Sequence, residues 1–469
     1  MALSRIWAGF IIASVLSAAF LYFSSADNND IFNRMVVGKA GDTSKTKLLD
    51  SAVAPLQIIK ALDTIKEVKN GEVKFTKTAE HKILMYREQA GDGIITTCRN
   101  AVDISINLIG IMALFMGILS IAEKAGGIRI LSKLVAPFFS KLFPGIPKDH
   151  PAMGHMMMNF SANLLNLDNA ATPFAIKAME SLQTINPAKD TASNAQIMFL
   201  CLHASGLTLI PVSIIAARAS LKAVNPTDIF VPCIIVTFVA TVAAMLIVSY
   251  KQKINIFKPV ILVWILSISA IIVSLMVYLR TLSFQGVQSF SGVLSNGLIL
   301  LIFLSIILGA LYKKINIFDA FVEGAKGGFE TAVKIIPFLV GMLVAISLLR
   351  TSGTFEVIIT GMKNIFTSLG MDTRFVDGLP TAIVRPLSGS GARGMMIDTM
   401  KIYGPDSFAG RLSSILQGCS DTTFYVVALY FGAVSIKNTR YTIGAMLLAD
   451  LVGIITSIIM AYFFFGNTA

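Results

Sequence analysis

Charge is scarce in this chain. Of its 469 residues, 14% are Asp, Glu, Lys or Arg, against about 25% in a typical soluble domain, while 55% are apolar and the mean hydropathy is +0.73. That balance leaves too few polar side chains to cover a water-facing surface and excludes a soluble enzyme. Histidine is limited to four residues, which is poor material for a His-based proton relay. The four cysteines, Cys98, Cys201, Cys233 and Cys419, stand far apart with no C-x-x-C pair, so a disulfide framework is not expected. No Walker loop, G-x-S-x-G elbow or H-E-x-x-H helix occurs, and the glycine-rich Ser388-Gly389-Ser390-Gly391 lacks the strand-to-helix setting of a nucleotide fingerprint. Neither catalysis nor a bound cofactor is therefore expected. The formal charge of +12 is not gathered into a basic run or interleaved with aromatics, so nucleic acid is not an expected partner. Excess Lys and Arg in a membrane protein marks cytoplasmic loops instead.

What the chain does have is a series of apolar runs of about 20 residues, the length that crosses a 30 Å hydrocarbon core. Residues 6–23 read as a retained anchor within an N-terminal segment 1–26, although Ser24-Ser25-Ala26 before Asp27 also fits a signal-peptidase site. Residues 27–91 alternate Lys with acidic residues around short apolar groups and read as an extramembrane helical insert. Beyond it, membrane helices are expected at 101–122, 195–218, 229–250, 257–279, 290–312, 331–350, 408–436 and 440–465. The stretches 151–182 and 376–402 mix Asn, Asp, Ser, Arg, Gly and Pro into apolar surroundings. They suit broken helices or re-entrant hairpins, which survive at membrane depth only where they are buried in protein or line a cavity. The expected fold is all-α: a polytopic membrane helical bundle in the lipid bilayer of the inner cell membrane.

An internal repeat organises the bundle. Asp92-Gly93, Ala101-Val102 and Leu108-Ile109-Gly110 match Glu323-Gly324, Ala332-Val333 and Leu339-Val340-Gly341 at an offset of 231. Ala170-Ala171-Thr172-Pro173 falls opposite Gly391-Ala392-Arg393-Gly394 at an offset of 221, and Ser205-Gly206-Leu207-Thr208-Leu209 opposite Ser420-Asp421-Thr422-Thr423-Phe424 at 215. The chain thus divides into a first repeat at 92–250, two linking membrane helices within 251–322 and a second repeat at 323–469. Lys251, Lys253 and Lys258 at one end of the linker and Lys313, Lys314 and Lys326 at the other place both ends in the cytoplasm. With three full crossings and a re-entrant hairpin per repeat, the first repeat starts outside and the second inside. That inverted topology, with broken helices meeting near the midplane, is the architecture of secondary transporters, and it puts residues 27–91 outside.

Polar motifs occupy corresponding places in the repeats. In the first, Asn159, Asn163 and Asn166 share one helix face, and the run Asn166-Leu167-Asp168-Asn169-Ala170-Ala171-Thr172-Pro173 breaks before Pro173, a favoured first residue of a new helix. Such a break frees the carbonyls of one half-helix and the amides of the next for an ion or polar solute. In the second, Arg385-Pro386-Leu387-Ser388-Gly389-Ser390-Gly391-Ala392-Arg393-Gly394 supplies glycines for close approach, two hydroxyls and two fixed positive charges. A third element, Gln417-Gly418-Cys419-Ser420-Asp421-Thr422-Thr423, sits inside an apolar run. An ionised Asp in a span is costly unless paired or hydrated, so Asp421 marks function, with Arg385 or Arg393 as its expected counter-ion. Asp450 in the last helix reads as a packing or loop acid. The candidate binding residues are Asn163, Asn166, Asp168, Asn169, Thr172, Ser388, Ser390, Arg393, Ser420, Asp421 and Thr422. Cys201, His203 and Cys419, with the Met-rich stretch after His150, raise a metal reading, although their spacing is not that of a closed zinc site.

These residues carry a family resemblance. The first part, with Ile6-Trp7-Ala8-Gly9 and Asn163-Leu164-Leu165-Asn166-Leu167-Asp168-Asn169-Ala170-Ala171-Thr172-Pro173, is similar to the A-type spore maturation proteins. The second, with Arg385 to Gly394 and Gly418-Cys419-Ser420-Asp421-Thr422-Thr423-Phe424-Tyr425, looks like the B type. The resemblance covers nearly the whole chain outside 27–91 and implies a fusion of two otherwise separate proteins. It also implies membership of the group with the nucleoside-recognition, or Gate, domain, found in concentrative nucleoside transporters and in the membrane part of ferrous-iron transporters. That group implies a transport-type pore of paired Gate units and no particular substrate. In sporulating bacteria the family is tied to dehydration of the spore core; the insert departs from its pattern and offers a place for a soluble partner. The expected function is movement of a small polar solute or ion through a site between the repeats. Asn, Ser and Thr would ligate it, Asp421 would carry coupling charge, and Arg393 would hold an anionic group or neutralise the acid. The alternatives are a non-transporting membrane scaffold or signalling component and a divalent metal permease. Assembly into a homo-oligomer is left open.

Overall fold

A computed structural model of the chain describes residues 2–24, 30–39, 43–49, 67–70, 73–77, 83–88, 91–147, 149–165 and 168–466. Helix α1 (Ala2–Ser24) is followed by the short α2 (Ile31–Val36) and by strands β1 (Gly38–Lys39), β2 (Thr43–Leu49), β3 (Glu67–Asn70), β4 (Val73–Lys77), β5 (Ile83–Glu88) and β6 (Gly91–Asp92). Strands β2, β5, β4 and β3 pair antiparallel in that order, with Thr43 opposite Glu88 and Val73 opposite Arg87, and β1 pairs with β6. The helical reading of 27–91 holds for α2 and is corrected to strand at 38–39, 43–49, 67–70, 73–77, 83–88 and 91, the rest of the segment lying outside the described residues or in turns at Asp30 and Val37. Val73-Lys74-Phe75-Thr76 alternates with a period of two and Ile83-Leu84-Met85-Tyr86 is rich in bulky β-formers, a composition that fits a pleated surface better than a helical stripe.

Ser4–Val102 and Val340–Asn364 form one compact unit. Within it Trp7 Nε1 donates to the Gly341 carbonyl at 2.9 Å, and Ala18, Ile31, Met35 and Leu348 share a small apolar core.

The second, larger unit holds Asp103–Leu339 and Ile365–Ala469. The first repeat runs α3 (Ile94–Lys124), α4 (Gly127–Leu142), α5 (Pro151–Leu164), α6 (Asp168–Thr184), α7 (Asn194–Ala204), α8 (Val212–Ser220) and α9 (Phe230–Gln252). The linking helices are α10 (Pro259–Arg280) and α11 (Phe284–Tyr312). The second repeat runs α12 (Ile317–Thr351), α13 (Thr354–Ser368), a 3-10 turn at Arg374–Gly378 leading into α14 (Leu379–Val384), α15 (Gly389–Tyr403), α16 (Phe408–Gly418), α17 (Thr423–Ala433) and α18 (Thr442–Phe465). Each repeat is thus a long helix, an amphipathic helix, a helical hairpin, a broken helix and a second long helix.

Among the described residues, α1, α3, α9, α10, α11, α12 and α18 are long and apolar enough to cross a membrane, so the chain is a multi-pass membrane protein. The apolar windows of α10 and α11 are only 6% and 17% buried, as suits helices with lipid on most sides. Two expected spans are corrected: 195–218 and 408–436 are not continuous helices but the pairs α7/α8 and α16/α17. The expected interruptions at 151–182 and 376–402 are the hairpins α5/α6 and α14/α15.

Helix pairing shows how the repeats are related. A Cβ at Gly453 of α18 would lie 3.5 Å from the Ala240 Cβ of α9, and Gln252 Nε2 at the end of α9 donates to the Tyr441 hydroxyl ahead of α18 at 2.9 Å. Numbers rise along one helix as they fall along the other, so α9 and α18 are antiparallel. Lys124 of α3 pairs with Glu323 of α12, and a Cβ at Gly328 would meet the Met112 carbonyl at 2.6 Å, so α3 and α12 are antiparallel as well. Gly324 and Gly328, four residues apart, remove the side chains that would hold α12 away from α3. Equivalent helices running in opposite directions make the two repeats inverted.

Candidate functional site

The two broken helices cross at equivalent residues. α7 is opened by a capping box between Ser193 and Gln196. It closes at Ala204, where Gly206 turns into the left-handed region at φ 59°, a conformation glycine adopts without steric cost. α16 opens on Ser407, whose Oγ accepts from the Gly410 amide at 3.0 Å, and ends at Gly418. At the crossing the Asp421 amide donates to the Ala204 carbonyl at 2.6 Å. Gly206 and Asp421 stand opposite each other in the 215-residue offset. The repeat extends to single hydrogen bonds: Leu209 N donates to the Leu164 carbonyl at 2.9 Å, and Phe424 N, 215 residues on, donates to the Pro386 carbonyl at 3.1 Å. In each repeat the break is therefore tied to its own hairpin turn.

Around the crossing, the second repeat brings charge and hydroxyls. Arg385 Nη2 donates to the Ser420 carbonyl and Nη1 to Thr422 Oγ1 at 3.5 Å. The Asp421 carboxylate accepts from the Thr422 amide at 2.6 Å. Arg385 thus binds the backbone and hydroxyl of the break rather than the Asp421 carboxylate, and the expected ion pair between them is corrected on that point. Ser388 caps α15 through the Gly391 amide at 2.9 Å, with Ser390 Oγ 3.4 Å away. Gln417 Nε2 reaches the Gly389 carbonyl at 3.4 Å. Two buried atoms here have no hydrogen-bond partner, Arg385 Nε and Gln417 Oε1. A buried donor and a buried acceptor left open in one place are unusual in a packed interior. Asp450 of α18, 4% exposed, joins from the other side, accepting from Thr423 Oγ1 at 2.6 Å. Of its reading as a packing or loop acid, the loop half is corrected: it is a buried acid within a span.

The first repeat contributes an amide–imidazole cluster. Asn159 Nδ2 donates to the Ala171 carbonyl at 2.7 Å, tying the hairpin arms, which turns its Oδ1 to His203 Nδ1 at 3.0 Å. That contact assigns the imidazole proton to Nδ1, because a carbonyl oxygen only accepts. The Asn163 amide, 2.9 Å from the same nitrogen, must then present its oxygen, a two-fold choice open to any amide. Asn163 and His203 also border a cavity of about 110 Å³ whose other walls include Phe138, Phe139, Phe160 and Trp264.

The remaining expected residues divide. Thr172 is half-buried on α6, and Arg393 is half-buried in the second turn of α15. Asp168 and Asn169 open α6, but their side chains, like Asn166 altogether, lie outside the described residues. Cys201, His203 and Cys419 do not converge; among the described residues no three His, Cys, Asp or Glu could hold a metal ion.

A charge cluster escaped the sequence reading. Arg218, at the end of α8 and fully buried, lies 2.9 Å from Asp228 and 3.2 Å from Asp406. Arg411 of α16 lies 2.7 Å from Asp228 and 3.7 Å from Asp406. Each repeat supplies one Arg and one Asp, so the network closes at zero net charge across the pseudo-symmetry. Scattered single charges at helix ends carry no motif, which is why spacing alone did not disclose them.

Known proteins match both repeats. The nucleoside-recognition (Gate) family model matches residues 105–221 and 332–437, the body of each repeat. Spore maturation protein B of Bacillus subtilis (strain 168) is 46% identical over 174 residues, 37% of this chain and 96% of that protein. Spore maturation protein A of the same organism is 39% identical over 163 residues, 35% of this chain and 83% of that protein. The two match different parts of the chain.

Proposed function

From the premise that this chain belongs to the spore maturation protein family, with two Gate repeats in one polypeptide, we propose that it moves a small polar solute or ion across the inner cell membrane. The route is the crossing of the broken helices. The observation that carries the reading is the Asp421 to Ala204 contact at 2.6 Å, where helix ends from both inverted repeats meet beside unpartnered Arg385 Nε and Gln417 Oε1. The amino ends of α15 and α17 bring partial positive charge there and the carboxyl ends of α7 and α16 partial negative charge. Ser388, Ser390, Ser420 and Thr422 supply hydroxyls, Asn163 reaches the region through His203, and Asn166, Asp168, Asn169 and Thr172 belong to the facing hairpin. Arg393 is the second guanidinium for an anionic group. Residues 27–91 are assigned to the outer side.

The test is the thermal midpoint of detergent-purified protein against nucleosides, dicarboxylates, Na⁺ and divalent metals. A ligand at 100 times its Kd adds about 2.7 kcal/mol. A stabilising ligand should lose its effect in Asp421→Asn, Arg385→Gln and Arg393→Ala while the unliganded midpoint holds, and the same variants should lose uptake of that ligand into liposomes. Variants that only lower the unliganded midpoint, with no ligand response in the parent, would replace transport by the scaffold reading.

A further inference from the structure

We propose that Asp450 is a proton-carrying carboxyl of the membrane interior, serving the crossing of the broken helices. It stands ninth in the 24-residue α18, roughly 12 Å along the axis at about 1.5 Å per residue, which is well inside hydrocarbon depth. Its Oδ2 accepts from Thr423 Oγ1 at 2.6 Å, and the Ser420 hydroxyl is the other polar group beside it. The nearest element of the crossing that carries a guanidinium is the turn with Arg385, which donates to the Ser420 carbonyl and to Thr422. That guanidinium is thus turned to a backbone carbonyl and a hydroxyl, and among the described residues no cation forms an ion pair with Asp450.

The other elements packed against Asp450 do not supply one. α7 presents the Cys201 thiol and the break after α16 the Cys419 thiol. Opposite Asp450 in the antiparallel register, α9 reads Val242-Ala243-Ala244, and α11 contains no charged residue. His203 is engaged instead through Nδ1, by Asn159 at 3.0 Å and Asn163 at 2.9 Å. An ionised carboxylate so placed costs more than neutral hydroxyls return; a proton on it removes that cost. Release is a single O–H cleavage, the proton passing to water admitted at the crossing and the carboxylate keeping the bond from Thr423 Oγ1. The inference leans on the transport reading for its use, not for the protonation itself.

Protein in phosphatidylcholine liposomes treated with dicyclohexylcarbodiimide, to which protonated carboxyls in apolar surroundings add as O-acylisoureas that rearrange to stable N-acylureas, gives the test. Asp450 should be modified at neutral pH, with labelling that falls about tenfold per pH unit above its midpoint, while the ion-paired Asp228 stays unlabelled. Infrared spectra should show a protonated-carboxyl C=O band that Asp450→Asn removes, which serves even where the reagent cannot enter. Absence of both signals would overturn the proposal. So would protection from labelling by Na⁺ but not by choline at fixed pH, which would give the site to a metal cation. Neither readout needs a substrate, so their failure leaves the transport reading standing, and failed uptake with labelling intact would do the reverse.

Discussion

Replacing Arg218 should be among the most damaging single changes in the molecule. Its guanidinium donates to the carbonyls of Pro226, Pro405 and Asn225 at 3.2, 2.6 and 3.3 Å and lies between Asp228 and Asp406. Arg218→Leu leaves Arg411 alone with two carboxylates and strips those carbonyls of their donor. Removing one member of a buried ion network costs about 3–5 kcal/mol, because the remaining charge is uncompensated. Arg218→Lys should recover only part of that loss, since an ammonium cannot reproduce a planar five-donor fork. The quadruple replacement of Arg218, Asp228, Asp406 and Arg411 by apolar residues of similar volume should be milder than the single change, since complete apolar substitution of such networks is often neutral or stabilising by about 1–4 kcal/mol. Unfolding of the purified protein in matched detergent measures each variant. A shift for Arg218→Leu within about 0.5 kcal/mol of the parent, the range of an ordinary surface change, would refute the argument.

The antiparallel register of α9 and α18 predicts a disulfide: a Cβ at 453 lies 3.5 Å from that of Ala240, within the usual bridging range. Ala240→Cys with Gly453→Cys should therefore oxidise readily in a background without the native cysteines, as seen by a reductant-sensitive gel shift, whereas Ala240→Cys with Leu447→Cys should not. Asp372 lies outside the spans; partial burial pushes its carboxyl up, but bonds from the Arg374 amide and Nε, both at 2.8 Å, hold it below the usual range. Its contribution is complete above the ordinary carboxyl value of about 3.9 and is lost as pH falls through the lowered one, so Asp372→Asn should flatten the acid limb of the stability profile. A cut in the linker, made by co-expressing 1–255 and 256–469, should leave the 240–453 bridge able to form between the two pieces, while deletion of α10 alone should abolish it.

The long helices were legible because an unbroken apolar run fixes both their existence and their rough length, and the repeat was legible because the same short words recur at near-constant offsets. The breaks were only half legible. Hydropathy averaged over 195–218 or 408–436 is carried by the flanking apolar turns, so a few polar residues do not interrupt the signal, yet Gly206 at φ 59° and Asp421 at a helix end are what divide the element. The insert was misread because alternating charge was allowed to outweigh the period of two in Val73-Lys74-Phe75-Thr76. Asp450 was set aside although it sits between Leu447-Leu448-Ala449 and Leu451-Val452, the context in which a carboxyl is least tolerable. The Arg218 network was out of reach because its members belong to different repeats and meet only after the inversion brings the end of α8 to the start of α16.

Inversion also constrains how such a fusion can be built. On the transport reading proposed above, α3, the broken pair α7/α8 and α9 are three crossings per repeat, so a repeat ends on the side opposite to the one on which it began. Two separate proteins, as the relatives are, find their relative orientation independently, each by its own flanking charges. In a single chain the linker dictates it. An even number of linking spans returns the chain to the side where the first repeat ended, so the second starts opposite to the first and equivalent helices run antiparallel, as α3 does with α12 and α9 with α18. One linking span would give parallel repeats, and the Asp421 to Ala204 contact, which joins equivalent breaks across a two-fold relation, would have no partner. The two exposed helices α10 and α11 are therefore more than a spacer: their even number is what lets the repeats of one polypeptide meet as two opposed chains would.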